Sequence, residues 1–276
     1  EPLAYQGQLA RALYNLGLAK ANGGRNEPAL EDFRRSLKLL AAVPSERRSD
    51  SDIEAIATVQ NALGFGLQVV GTPEAKAEAE DAMKQAIPSF ETLVSRHPRR
   101  LVYRSGLSRA WSNLGSFYWM ELRYNEAEAA YQEALRADEK IVHDFPEDRG
   151  SRILLAHGYQ DLADARAKLD RLKEAREGFE KALEVIEPEA KLHPDDYRTV
   201  ECLGTICLNY GNLARASEGL EASLRLRERA VEAFERAYRL EPTHAQAKTV
   251  LIGSLGNLSA TYLALNRIDE ALRRID

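Results

Sequence analysis

Catalysis needs reactive side chains held at fixed spacing, and the titratable residues of this 276-residue chain do not supply it. His97, His143, His157, His193 and His244 are scattered, and no two have the spacing by which one helix face holds zinc. His97, His143 and His193 fall instead near predicted helix C-termini, where partial positive charge suits the dipole. Cys202 and Cys207 lie on one predicted helix, which separates their Cα atoms by roughly 8–9 Å, too far for a bridge. They read as reduced core residues, and two thiols in a chain of this length fit a reducing compartment, with the cytoplasm expected. There is no phosphate-cradling glycine loop and no nucleophile elbow, so no enzyme, cofactor or metal site is expected. Asn257-Leu258-Ser259 matches a glycosylation acceptor, but it falls inside a predicted helix and is discounted. What does recur is an amide. Asn113, Asp161, Asn209 and Asn257 stand 48 residues apart, and an amide presents a donor and an acceptor together, which suits bidentate capture of a peptide backbone.

The elements that must position that column are legible from Trp111 to Ala134. Trp111, Leu114 and Tyr118 share one stripe of a helix, as do Ala127, Tyr131 and Ala134 after a short polar turn. Gly115, Ala127 and Ala134 let two helices approach closely while Tyr131 fills the space between them. Asn125 followed by Glu128 reads as the capping box of the second helix. A single hairpin cannot bury both faces, so it needs neighbours. A shift of 48 residues supplies them: Pro98, Pro146, Pro194 and Pro242 fall into one column, and Leu107, Leu155, Leu203 and Leu251 into another. Leu114, Leu162, Tyr210 and Leu258 form a third column, beside the small residues Gly115, Ala163, Gly211 and Ser259.

The chain therefore divides into about six hairpins, at residues 1–44, 45–98, 99–146, 147–194, 195–242 and 243–276, read as a single repeat domain spanning 1–276. The first places Leu13, Leu16 and Gly17 opposite Ala29, Phe33 and Ser36. The second is the least regular, broken by Gly71-Thr72-Pro73, and its second helix is long. In the fifth, Ala230, Phe234 and Ala237 come seven residues later than a strict repeat predicts. The sixth lacks most of its second helix. Because the chain opens at Glu1 without an initiator Met and closes at Asp276 inside a repeat, it reads as a piece of a longer protein. A net charge of −5 and the lack of a basic stripe argue against nucleic acid. No apolar run is read as reaching the ~20 residues that span a bilayer.

Trp, Leu-Gly and Tyr, then Ala, an aromatic and Ala, with a closing Pro, make a pattern that resembles the tetratricopeptide repeat. The resemblance covers nearly the whole chain. Departures are a period longer than the usual ~34, Ala163 and Ser259 at the small position, and a poorly matching second repeat. The 48-residue period with His-Pro or Phe-Pro at repeat ends resembles arrays appended to bacterial serine/threonine kinases, although no kinase motif occurs in the chain. The resemblance implies an all-α, right-handed α-solenoid superhelix, its concave groove lined by first helices and binding a peptide or partner protein. Carried over by position, the groove residues are Arg11, Tyr14 and Asn15; Arg109, Ser112, Asn113, Ser116 and Trp119; His157, Gln160, Asp161 and Asp164; Asn209, Asn212 and Arg215; and Asn257.

Other readings compete. Polar residues are what any solvated face requires, and on that reading the asparagines meet only water or a neighbouring helix. Trp119 is either a groove anchor or a wedge between hairpins, the wedge being favoured. The Lys-Asn, Asn, Lys-Arg clamp by which some family members grip a chaperone C-terminus is not matched over any three repeats. Self-association through the open sixth hairpin, as a structural module of a larger protein, is the alternative function.

Overall fold

The computed structural model describes residues 2–273, so Glu1 and Asp276, on which the reading of a cut chain rests, lie outside the described residues. Among the described residues there are twelve α-helices and no strand. They pair as α1 (Pro2–Asn22) with α2 (Asn26–Ala41), α3 (Asp50–Val70) with α4 (Pro73–Arg96), α5 (Leu101–Met120) with α6 (Tyr124–Asp144), α7 (Arg149–Lys168) with α8 (Leu172–Leu192), α9 (Tyr197–Ser217) with α10 (Leu220–Leu240), and α11 (Ala245–Ala264) with α12 (Ile268–Arg273). This is an all-α repeat solenoid. Packing divides it into two compact units, residues 1–137 and 138–276, with the boundary inside α6. In the first unit α1, α3 and α5 touch in turn, and in the second α7 touches α9.

Local chemistry sets where the helices start and stop. Gly71 closes α3 at φ 75, Thr72 caps α4 by accepting from the Ala75 N–H at 3.2 Å, and Pro73 needs no amide donor at the first helical position. A capping box does occur, but at Ser49 and Asp52. The box expected at Asn125 is absent. Arg123 instead flanks α6, its carbonyl accepting from Ala127 N–H at 3.0 Å, which puts Asn125 inside the first turn. Three turns use a left-handed residue other than glycine, namely Leu122, Asp170 and Asn266 at φ 60, 61 and 58. The proline column sits two residues beyond the ends of α4, α6, α8 and α10, and His97 and His193 are the C-terminal flanking residues of α4 and α8.

The core follows the columns. Leu114, Leu162, Tyr210 and Leu258 are all buried, as are Gly115, Ala163, Gly211 and Ser259. A Cβ added at Gly115 would come within 2.6 Å of the Tyr131 ring, so the absent side chain is what admits the aromatic. In the second unit Phe179 is fully buried and stacks on Tyr210, ring centroids 5.3 Å apart and planes within 3°. Cys202 and Cys207 are buried free thiols in the same core, and burial raises both pKa values, that of Cys207 to about 11.

Three further expectations are corrected. The fifth repeat is not displaced by seven residues: strict register puts Ser223, Arg227 and Ala230 where Ala175, Phe179 and Ala182 lie one repeat earlier, and all three are buried. Arg227 takes the aromatic's place against Gly211, and its two terminal nitrogens donate to the Asn257 carbonyl (2.7 Å), Thr261 Oγ1 (2.6 Å) and Asn212 Oδ1 (3.0 Å), while its buried Nε has no partner. Trp111 is only half-buried, beside an open cleft. Truncation to alanine therefore costs about 2 kcal/mol rather than the 3–5 of an enclosed indole. Finally, α3 is long and apolar enough by length and composition to cross a bilayer. Its acidic residues cluster at the start, leaving residues 55–70 uncharged, and in the first unit it packs against α2 and α4.

The Gly115 contact makes a test. Gly115→Ala is expected to destabilise the fold by about 1–3 kcal/mol in thermal or urea unfolding, although alanine is the better helix former, because the new methyl group overlaps the Tyr131 ring. Glu74→Ala, on an exposed turn of α4, leaves the midpoint unchanged.

Candidate functional site

The first helices bring their polar residues together differently in the two units. In the first unit, a cavity of about 310 Å³ is lined by Arg11, Tyr14 and Asn15 of α1 together with Ser51, Glu54 and Thr58 of α3. A second, of about 450 Å³, joins Tyr14 to Arg109 and Asn113 of α5, again through Glu54 and Thr58. The two share Tyr14, Glu54 and Thr58, so they form one strip across α1, α3 and α5. Tyr14 is held above the usual phenol range by burial, with Arg109 pulling the other way.

Five of the residues placed in the groove therefore line this strip: Arg11, Tyr14, Asn15, Arg109 and Asn113. The sequence reading missed the α3 contribution, because the second repeat breaks the 48-residue register from which positions were carried over. Phe65 of α3 is 63% exposed and Val102 of α5 is 50% exposed, and both line the larger cavity above Phe90 and Gly106. A solvent-facing phenylalanine on a first helix is the signal that could have found them. Asn61 lines the same cavity with its Oδ1 buried and lacking a hydrogen-bond partner.

Other expected groove residues are engaged inside their own hairpin. Tyr131 donates its hydroxyl to Ser116 Oγ at 3.2 Å. Trp119 meets Tyr124 edge to face at 6.3 Å, within the third hairpin. Ser112 is half-buried on α5 and lines neither of these cavities.

In the second unit two of the amides, Asn209 and Asn212, are engaged by protein. Asn209 Nδ2 donates to Asp164 Oδ2 at 3.0 Å, joining α9 to α7, and Asn212 accepts from Arg227. Gln160 is buried at 6% exposure, so it is not presented to solvent. His157 and Asp161 are half-buried, and burial, then Arg198, lowers the His157 pKa. Arg215 and Asn257 are exposed. Asp164 is pushed up to about 7, chiefly by burial, against the opposing hydrogen bond from Asn209 and the charge of Lys168.

The tetratricopeptide-repeat profile matches residues 10–39, 108–141 and 156–188. In those three segments the chain carries tetratricopeptide repeats. Two solved structures share the fold: BtubC (BKLC) from P. vanneervenii, 18% identical, with 91% of this chain and 88% of that one covered at a TM-score of 0.66, and a Podosopora anserina putative kinesin light chain with nearly identical TPR-like repeats, 20% identical, with 87% and 99% covered at 0.56. No curated protein matches the chain in sequence. Tetratricopeptide repeats serve in general as scaffolds for binding other proteins, without catalysis of their own.

Asp164 gives a pH test. Unfolded, the carboxyl ionises near about 3.9; folded, at about 7. The folded state holds the proton more tightly, so its contribution to stability is fullest below about pH 4 and is lost as pH rises through 7. Asp164→Asn is therefore expected to raise the melting temperature more at pH 8 than at pH 5. An equal change at both pH values would show the carboxyl ionising normally.

Proposed function

We propose that the strip across α1, α3 and α5 docks an extended segment of a partner polypeptide, making the chain a protein-binding module. The observation that carries this reading is the conjunction in one cavity of an exposed apolar group, Phe65, with groups suited to a peptide backbone, Asn61 and Asn113, and with the charges of Glu54 and Arg109. Apolar contact supplies affinity and the amides supply register. The asparagines of the second unit fit the reading less well, since Asn209 and Asn212 are held by Asp164 and Arg227. The buried thiols support a reducing compartment, and we place the protein in the cytoplasm.

The test pairs two variants of surface residues. A peptide array screened with the wild-type chain identifies binders, and Phe65→Ser and Asn113→Ala are each expected to weaken them about tenfold, in keeping with loss of a central contact, without a change in melting temperature. Binding unaltered in both variants would remove the strip from the account. Light scattering on the same samples reports the rival reading, in which the array assembles with itself: a mass that rises with concentration, together with no peptide binder, favours assembly.

A further inference from the structure

A second opening lies between the second and third hairpins, bounded by α4 and α6, and shares no lining residue with the polar strip. It encloses about 560 Å³, with Trp111, Leu114 and Tyr118 of α5 as its floor. Between Glu126 and Glu133, α6 lines it with the small side chains of Ala129 and Ala130, and the indole is half-buried. Glu91 and Glu133 stand on its two sides, from α4 and α6. The cation at its edge, Lys84, is held by Glu80 at 2.7 Å. Glu126 pairs with Arg123 at 2.9 Å, and Glu133 with Arg136. Glu91 has no ion-pair partner among the described residues.

The following repeats show what this position ordinarily holds. Adding 48 to Glu91, Trp111 and Glu133 gives Glu139, Tyr159 and Lys181, and adding it again gives Glu187, Cys207 and Arg229. Both later sets are complete in themselves. Lys181 Nζ lies 5.6 Å from the centroid of the Tyr159 ring, whose hydroxyl donates to Glu139 at 2.8 Å. One repeat on, Arg229 pairs with Glu187 beside Cys207. In each case the later second helix brings a cation to the set, Lys181 over the ring whose hydroxyl Glu139 accepts and Arg229 against Glu187 itself. The third hairpin keeps the glutamate and enlarges the aromatic to tryptophan, the ring that attracts cations best, but puts Glu133 where the cation belongs.

We propose that the Trp111 cleft binds a lysine or arginine side chain of a partner polypeptide, its charge seated over the indole and neutralised by Glu91 and Glu133. The alkyl stem of such a side chain lies along the apolar floor, and a guanidinium gains paired hydrogen bonds to carboxylate. The Glu133–Arg136 pair is exposed and only three residues apart, so it is weak enough for an incoming cation to displace.

Two indoles, Trp111 and Trp119, make the site observable by NMR. The 15N-labelled chain is titrated with acetyl-tetra-arginine amide and with the matching citrulline peptide, which has the shape without the charge. Expected is a saturable shift of the Trp111 indole N–H with arginine only, with Trp119 unmoved, weakening as salt rises from about 50 to about 300 mM. Glu133→Lys supplies the internal cation that Lys181 gives the next repeat. It is expected to keep the fold, checked by circular dichroism, and to reduce affinity about tenfold or more. Glu133→Gln, which adds no charge, is expected to weaken binding less. Equal binding by wild type and Glu133→Lys, or a response to citrulline as strong as to arginine, would overturn the proposal. A Trp111 shift that grows with protein concentration without peptide would instead assign the cleft to a second copy of the chain.

Discussion

The structure depends on one steric exchange repeated along the chain: a small residue on each first helix yields its side-chain volume to a large one on the helix that follows. Gly17 faces Phe33, Gly64 faces Met83 and Gly115 faces Tyr131, each at a separation that a Cβ would violate. The exchange brings two helices together and hides the aromatic in one step, so burial and helix spacing are set by the same pair of residues. Everything else hangs from that spacing. First helices α1, α3 and α5 lie side by side, as do α7 and α9, and their remaining faces, relieved of packing, are free to be polar.

The same exchange tolerates a charged substitute when hydrogen bonds are supplied. Arg227 occupies the large position in the fifth repeat, and three acceptors on α9 and α11 take its protons. Burial lowers its pKa, with Arg215 nearby adding to the effect, yet a guanidinium remains charged, so the arrangement ties α10 to its neighbouring helices through polar contacts rather than apolar ones. A buried position in a repeat is thus defined by the volume it must fill. The chemistry that fills it varies.

Functional differences between repeats arise the same way, at positions the fold does not need. The set Glu91, Trp111 and Glu133 and its counterparts in the two following repeats share geometry but differ in charge, and only the first lacks a cation of its own. On the first helices, the amide at Asn113 borders a cavity while the one at Asn209 is spent on Asp164. Equivalent positions carry different duties because the neighbouring repeat contributes half of each surface.

The sequence by itself determined the hairpins and their interlock. Helical period, proline punctuation and the columns of leucine and small residues are properties of each repeat alone, and Leu114, Gly115 and Tyr131 are buried as that pattern requires. It also disclosed which first-helix residues are polar. Only the tertiary structure decided what those residues touch. The register carried over from regular repeats could not place α3, so Phe65 and Asn61 were missed, and the seven-residue displacement read in the fifth repeat dissolved once Arg227 was seen to be buried. Trp111 matched the family position yet is half exposed, because its cover comes from Ala129 and Ala130 on another helix. Periodicity fixes the direction of a side chain from its own backbone, whereas burial and pairing depend on what a different segment places opposite it.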